Sequence, residues 1–143
     1  MPGLDGRKMS QAYGNALNIA DDMKTVWDKL RTMTTDTARE RKTDPGTPEK
    51  CPVWDVQKFF NHDPQEMAEL HEGCLKASFG CMDCKKKLMV HLEEAMGPIQ
   101  ARRADYEKRG DELMDILKTG ADKARKVAER TMDEVYTAMG LLH

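Results

Sequence analysis

The chain has 143 residues, of which 39% are hydrophobic and 34% charged, and its formal net charge is −2. This length suits one ordinary domain with a single core, and the charge does not indicate DNA as a partner. No apolar run approaches the ~20 residues that span a bilayer, and the start lacks a signal-peptide core, so no membrane partner is expected. These features predict a cytoplasmic protein, in which structural disulfides are rare.

Helical periodicity dominates the first half of the chain, and no convincing strand pattern is present. The apolar residues from Met23 to Met33 recur at helical spacing, and Asp21 or Asp22 can cap the first turn. Residues 34–52 contain three prolines and no apolar stripe, which predicts a long irregular connection. A short helix is expected to follow at about residues 53–61.

The second half is predicted to be helical throughout. Asp63, Pro64 and Glu66 match the N-cap, N1 and N3 positions of a helix that should end near residue 76. A further helix is predicted from about residue 81, with a kink or division at 97–99, a stop near Gly120 and a last helix over about 121–139. The predicted fold class is all-α, a helical bundle with one long irregular connection.

Four cysteines, Cys51, Cys74, Cys81 and Cys84, follow the spacing C-x22-C-x6-C-x2-C. A zinc site is physically possible, but zinc ribbons usually bring two close cysteine pairs together, and only one such pair is present. Three ligands from one segment plus a remote fourth suit a [4Fe–4S] cube better, because each iron takes one thiolate. Aerobic purification could leave such a site empty, oxidised to a disulfide or filled with zinc.

The cysteine segment is acidic and leads directly into three lysines. Residues 51–84 carry a net charge of −4, and Lys85, Lys86 and Lys87 follow. Four thiolates around an oxidised cube leave a charge of about −2, which needs N–H donors or cations nearby. The three lysines could supply these cations, or they could form one solvated turn of a helix.

The N-terminal stretch GLDGRKMSQAYGN, residues 3–15, combines pliant glycines with Arg7 and Lys8. A lysine in a flexible loop can reach the β- and γ-phosphates of a nucleotide and stabilise charge on leaving pyrophosphate. Most exposed Lys–Arg pairs, however, only solvate a surface, so the composition alone is a weak indication of a nucleotide loop.

This stretch closely resembles the signature loop of class I aminoacyl-tRNA synthetases, written KMSKS and often followed by Tyr-Gly-Asn. Lys8, Met9 and Ser10 match its first three positions, whereas Gln11 and Ala12 replace its second lysine and final serine. Further segments resemble the tryptophanyl branch of that family, in which some bacterial members carry the same cysteine spacing as a [4Fe–4S] site: TD at 35–36, DPGTPEKCPV at 44–53, GCMDCKKKL at 80–88 and AMG at 138–140.

The resemblance implies a division into two parts. Residues 1–16 would be the signature loop, a remnant of the catalytic domain, and residues 17–143 a helical anticodon-binding domain whose cysteine site spans 51–84. No His-x-Gly-His element or Rossmann fingerprint occurs in the chain, so the catalytic domain is expected to be absent and this piece alone not to be catalytic. The missing second lysine puts efficient activation of the amino acid in question unless Arg7 or another cation compensates.

The full-length parent implied by the resemblance is a ligase that activates tryptophan with ATP and charges tRNA(Trp). The partners would be the anticodon end of that tRNA and, through the missing catalytic domain, a second copy of the parent. The cluster would be structural, with a redox or sensing role as the alternative. The candidate tRNA contacts are the basic residues near the cysteines and on the long connection: Lys85, Lys86, Lys87, Arg102, Arg103, Arg39 and Arg41.

Two other functions compete with this one. The chain could be a free-standing iron–sulfur or zinc protein that transfers electrons or binds metal, or a helical interaction module whose cysteines bind nothing. The Lys8–Ser10 loop distinguishes the first alternative, because an electron-transfer protein has no need for a phosphate-binding loop.

Overall fold

The structure, a computed structural model, describes residues 1–141, which contain five α-helices and two short 3-10 helices and no β-strand. The helices are α1 (Met23–Thr32), α2 (Pro52–Phe60), α3 (Pro64–Leu75), α4 (Cys81–Glu107) and α5 (Gly110–Met139). The prediction of an all-α fold is confirmed. Within the described range, none of the helices is both long enough and apolar enough to cross a membrane.

Two compact units make up the chain, Met1–Gln100 and a second that begins at Ala101. Residues 1–16 lie in the first unit together with α1, α2 and α3. The predicted domain boundary after residue 16 concerns the parent protein and stays a prediction.

The helix starts follow from capping side chains, as predicted. The Asp22 carboxylate accepts a hydrogen bond from the Thr25 N–H at 2.6 Å, and Asp63 accepts from the N–H groups of Gln65 and Glu66 at 2.9 and 3.3 Å. These bonds satisfy first-turn donors that lack an intrahelical partner.

The core of the first unit joins α1, α2 and α4. Its members are the buried residues Val26, Leu30, Met33, Val53, Val56, Leu88, Leu92 and Met96. The connection between α1 and α2 is ordered by the buried Asp36, whose carboxylate accepts from the N–H groups of Ala38 at 3.0 Å and Thr47 at 2.7 Å. Hydrogen bonds from the Thr47 and Ala38 backbones hold the pKa of Asp36 below its ordinary value.

The predicted helix end near Gly120 is wrong, because α5 continues through that residue. Helix α4 continues through residues 97–99, which excludes a division there, and the kink that was the other expectation for Pro98 stays a prediction. The break falls at residues 108–109. A glycine inside a helix costs only about 1 kcal/mol relative to alanine, which flanking helix formers offset. The predicted burial of Val127 and Val135 is also wrong, since they are 57% and 40% exposed.

Candidate functional site

Three segments supply the four cysteines. Cys51 caps α2 directly before Pro52, Cys74 lies in the last turn of α3, Cys81 opens α4, and Cys84 follows one turn later. All four are half-buried free thiols. The turn between α3 and α4 is tight: Ala77 has a left-handed φ of 53°, and the Ser78 N–H donates to the Gly73 carbonyl at 2.8 Å.

Arg39 reaches from the long connection into the cysteine site. Its Nη1 lies 3.9 Å from Cys74 Sγ and 4.0 Å from Cys81 Sγ. The two sulfurs are therefore no further apart than the sum of these two distances. Its Nη2 donates to the carbonyls of Lys42 at 2.8 Å and Phe79 at 2.6 Å. The guanidinium therefore crosslinks the connection, the α3–α4 turn and two of the sulfurs.

Gln57 approaches the site from α2. Its side chain is fully buried, and Nε2 lies 3.1 Å from the Cys84 carbonyl oxygen and 3.8 Å from Cys84 Sγ. Two buried polar atoms beside the cysteines, Arg39 Nε and Gln57 Oε1, have no hydrogen-bond partner among the described residues. Such atoms are rare in protein interiors, and in a metalloprotein they often face a group that the protein binds.

Burial raises the pKa of the Cys84 thiol to about 11; the Gln57 hydrogen bond opposes this shift, and negative charge on the other three cysteines adds to it. Burial also raises the pKa of Cys74, which the Arg39 charge opposes. Because a metal binds thiolates, loading this site would release protons and be favoured by higher pH.

The glycine at position 46 leaves room beside the sulfurs, because a Cβ atom there would lie 2.7 Å from Cys74 Sγ. Among residues 1–141, no group of three or more His, Cys, Asp or Glu side chains is arranged to hold a metal ion.

Two of the candidate tRNA contacts are internal. Arg39 is 8% and Lys85 4% exposed. Lys85 Nζ donates to the carbonyls of Arg31 at 2.8 Å and Met33 at 2.6 Å, which caps the C-terminal end of α1. Their cationic groups are therefore engaged inside the first unit, where carbonyls and sulfurs compensate their desolvation, and they present no charge to a surface ligand.

The other candidates are exposed. In the first unit, Lys86 and Lys87 lie on α4, where they pair with Asp83 at 3.9 Å and Glu66 at 3.1 Å. Arg41 is exposed on the long connection. In the second unit, Arg102 and Arg103 are exposed near the end of α4, and Arg103 pairs with Glu107 at 2.8 Å.

An open cavity of about 470 Å³ lies beside the cysteine site, between the long connection and the start of α4. Basic side chains on its wall include Arg41 and Lys42, and Cys81 also lines it. Lys42, which the sequence analysis did not single out, is 70% exposed and pairs loosely with Asp83 at 3.8 Å. The cavity thus places exposed positive charge next to a cysteine.

The Lys8–Ser10 loop is held in shape by the buried Asn15. The Asn15 Oδ1 accepts from the Ser10 N–H at 2.8 Å, and its Nδ2 donates to the Lys8 carbonyl at 3.2 Å and to Asp5 Oδ1 at 2.7 Å. Hydrogen bonds from Asn15 and Arg7 lower the pKa of Asp5 to about 2. The Lys8 side chain itself is exposed.

Arg7, the cation that could compensate for Gln11, is already engaged. Its Nη2 lies 2.6 Å from Asp5 Oδ2, and its guanidinium stacks on Tyr13 with 4.9 Å to the ring centroid. A nucleotide phosphate would therefore have to compete with an ion pair for Arg7, whereas Lys8 has no such partner in residues 1–141.

Sequence reasoning missed Asn15, Asp36, Gln57 and Lys42 as parts of these sites. Asn15 and Asp36 lie in segments quoted for the family resemblance, which was an available signal. No signal in the sequence pointed to Gln57, because a glutamine on an amphipathic helix is ordinarily solvated. The burial of Gln57 depends on the packing of α2 against α4.

Comparisons with known proteins agree on one family. Residues 1–97 match the family described as tRNA synthetases class I (W and Y). The tryptophan–tRNA ligases of Aquifex aeolicus and Deinococcus radiodurans are each 43% identical over 99% of this chain, which spans 36% and 43% of their lengths. The crystal structure of tryptophanyl-tRNA synthetase from Campylobacter jejuni superposes with a TM-score of 0.81 at 28% identity, over 98% of this chain and 44% of that one.

The family model covers more than half of the chain, and the chain itself spans well under two thirds of these relatives. The signature-loop residues and the first three helices all lie within the matched range. The chain belongs to the class I tRNA synthetases of the tryptophanyl and tyrosyl group, and it corresponds to the C-terminal region of tryptophan–tRNA ligases.

Proposed function

We propose that this chain is the anticodon-binding region of a tryptophan–tRNA ligase and that its four cysteines bind a [4Fe–4S] cluster. The observation that carries the proposal is the meeting of Cys74, at the end of α3, and Cys81, at the start of α4, at the Arg39 guanidinium, beside an open cavity whose wall includes Arg41 and Lys42. The parent would activate tryptophan with ATP, charge tRNA(Trp) and act as a homodimer formed through its catalytic domain.

The residues present fit such a cluster. Cys51, Cys74, Cys81 and Cys84 would each hold one iron. Arg39 Nη1 lies near the sulfurs of Cys74 and Cys81, and Arg39 Nε is buried without a hydrogen-bond partner among the described residues. When bound, the cluster would supply a rigid inorganic crosslink between four points of the backbone. The chain's own residues would then hold the long connection against α3 and α4, and thereby position the cavity.

RNA would bind over the exposed basic residues that surround this crosslink. Arg41, Lys42 and Lys86 lie on the side of the first unit that carries Cys81, and their charges suit phosphate contacts, which weaken as salt rises. Splayed anticodon bases would stack on guanidinium planes. Lys87, Arg102 and Arg103 remain candidate contacts. Arg39 and Lys85 are buried and would not contact the RNA directly.

The Lys8–Ser10 loop would serve the ATP phosphates in the parent. Lys8 is exposed and its backbone is fixed by Asn15, so its ammonium can meet a phosphate without reordering the loop. Gln11 leaves this loop with one cation fewer than the family's usual motif. Lys8 would therefore carry most of the loop's phosphate interaction.

The test uses the 143-residue chain, reconstituted with iron and sulfide under anaerobic conditions. About four irons per chain, a brown colour and tighter binding of tRNA(Trp) than of the same tRNA with an altered anticodon are expected. The double variant Arg41→Gln with Lys42→Gln should weaken this binding and lower its salt dependence, whereas the matched variant Lys118→Gln with Lys123→Gln on α5 should not.

A Cys81→Ser variant separates the cluster from the RNA surface. It should lose the colour and bind tRNA(Trp) more weakly, because the crosslink that positions the cavity is gone. Equal binding of both tRNAs by the reconstituted chain would refute anticodon recognition. A Cys81→Ser protein that keeps the parent's spectrum and melting temperature would refute the ligand assignment.

A further inference from the structure

We propose that Arg39 is the internal counter-charge of the cysteine centre: its guanidinium donates to the sulfurs of Cys74 and Cys81 and retains the bound cluster, instead of contacting RNA. This inference rests on the proposed cluster. It assigns Arg39 a positioning and electrostatic role that differs from the surface contact predicted from its place on a long, basic connection.

The orientation of the guanidinium is set by backbone acceptors. Nη2 donates to the Lys42 and Phe79 carbonyls at 2.8 and 2.6 Å, which occupy both of its hydrogens. Because guanidinium is planar, these two bonds direct Nη1 toward Cys74 and Cys81, at 3.9 and 4.0 Å. The Nη1 side of the guanidinium therefore points toward the sulfurs of Cys74 and Cys81.

The unpaired Nε supports a ligand in the same place. Arg39 is 92% buried, and Nε has no acceptor among residues 1–141. A buried charged donor without a partner costs free energy, which a bound acceptor would recover. The sulfides and thiolates of a cluster are acceptors of this kind, and hydrogen bonds to them are among the factors that tune such centres.

Two other cations lie nearby, and neither donates a hydrogen bond to a cysteine sulfur among the described residues. The charge of Lys85 interacts with those of Cys51, Cys81 and Cys84, but its ammonium donates to the Arg31 and Met33 carbonyls, and Lys42 is exposed and paired with Asp83. The glycine at position 46 keeps Arg39 close: a Cβ there would lie 3.2 Å from Arg39 Cδ and 2.7 Å from Cys74 Sγ. Arg39 is thus the cation that the fold packs against the sulfurs.

The experiment compares four reconstituted chains: the parent, Arg39→Gln, Arg39→Lys and the control Lys24→Gln. Lys24 is exposed in the first turn of α1, in the same unit, and does not line the cavity beside Cys81, so its variant removes the same charge away from the site. The first readout is the rate at which iron is lost to a chelator. The second is the midpoint potential for one-electron reduction by dithionite, which takes the centre from about −2 to about −3.

Arg39→Gln should lose iron at least about tenfold faster than the parent. Its reduction equilibrium should shift about tenfold toward the oxidised state, about 59 mV for one electron, because a positive charge beside the sulfurs favours the more negative state. Arg39→Lys should keep a potential near that of the parent while losing iron faster, since it retains the charge without the fork. Lys24→Gln should match the parent in both.

Parent-like iron loss and potential in Arg39→Gln would overturn the inference. If Arg39→Gln fails to fold, the Arg39→Lys and Lys24→Gln pair decides: equal rates of iron loss in these two variants would also overturn the inference. Failure of the proposed function looks different, because the parent itself would then take up no iron and sulfide.

Discussion

Helices α1 and α2 of the first unit are about as amphipathic as helix α5, but the burial of their apolar residues is opposite. In residues 1–100, apolar residues of α1, α2 and α4 form a core whose central members Val26, Leu30 and Leu88 are fully buried. In α5, none of the residues Gly110–Met139 is buried, and Leu117 is 59% exposed. Helical periodicity is present in both, so periodicity predicts the helix but not the neighbour that buries its apolar face.

The difference in burial has a physical cause in two connections, the long one between α1 and α2 and the turn between α3 and α4. These connections bring α2 and α3 back against α1 and α4, so that apolar residues far apart in the sequence pack together. Helix α5 follows α4 after a break at residues 108–109, where Arg109 forms local ion pairs with Asp105 and Glu112 at 2.6 Å. Local pairs of this kind on an exposed surface contribute little to stability.

The largest contrast is expected between core and surface leucines. Leu88→Ala should lower the free energy of unfolding of the first unit by about 2–5 kcal/mol, because it leaves a cavity among α1, α2 and α4. Leu117→Ala on α5 should change it by less than about 0.5 kcal/mol. Urea unfolding followed by tryptophan fluorescence measures this, since Trp27 and Trp54 both lie in the first unit. Similar losses for the two variants would contradict the comparison.

The buried lysine of α4 should matter more than its exposed neighbour. Lys85→Met removes the donor to the Arg31 and Met33 carbonyls and should cost about 1–3 kcal/mol, because both carbonyls at the end of α1 lose their partner. Lys86→Met, its exposed control, should be close to neutral. The same urea titration tests both, and a neutral Lys85→Met would mean that the cap does not stabilise the first unit.

Acid should weaken the link between α3 and α4. The pKa of Glu66 is lowered below its ordinary value of 4.5: burial opposes the shift, but hydrogen bonds from His91 at 2.7 Å and from Lys87 outweigh it. A depressed carboxyl pKa stabilises the fold above the unfolded pKa, and this contribution is lost as pH falls from 4.5 through the folded value.

Glu66→Gln should therefore lower stability at pH 7 by less than about 1 kcal/mol and flatten the loss of stability as the pH falls below 4.5. Glu69→Gln, on an exposed position of the same helix, is the control and should keep the parent's pH profile. Thermal melts at a series of pH values measure this. A Glu66→Gln variant whose stability depends on pH as the parent's does would show that the His91–Glu66 pair does not cause the loss of stability in acid.

The smallest effect tests the continuity of α5. Gly120→Ala should raise the stability of this helix by about 0.5–1 kcal/mol, because alanine loses less backbone entropy and a Cβ at this position meets no atom within 4 Å. Far-UV circular dichroism during heating reports it as a later loss of helix. If residue 120 ended a helix, as the sequence pattern suggested, the variant would destabilise instead.

Much of the fold could be predicted because its signals are local. Asp22 and Asp63 cap helices whose donors lie two or three residues away, and the prolines of the long connection exclude a helix there directly. The break between α4 and α5 could not be predicted, because Gly97, Pro98 and Gly120 are stronger breakers by propensity than the residues at 108–109. Helical neighbours on both sides outweighed those single residues.

The sequence by itself determined the all-helical class, the helix starts and the spacing that brings Cys74, Cys81 and Cys84 together, because these depend on neighbours within a few turns. Tertiary structure alone decided which cations are internal. Arg39 meets sulfurs 35 and 42 residues away, and Lys85 meets carbonyls 54 and 52 residues away. A buried charge is tolerated only where distant acceptors converge on it, and that convergence depends on the folded chain.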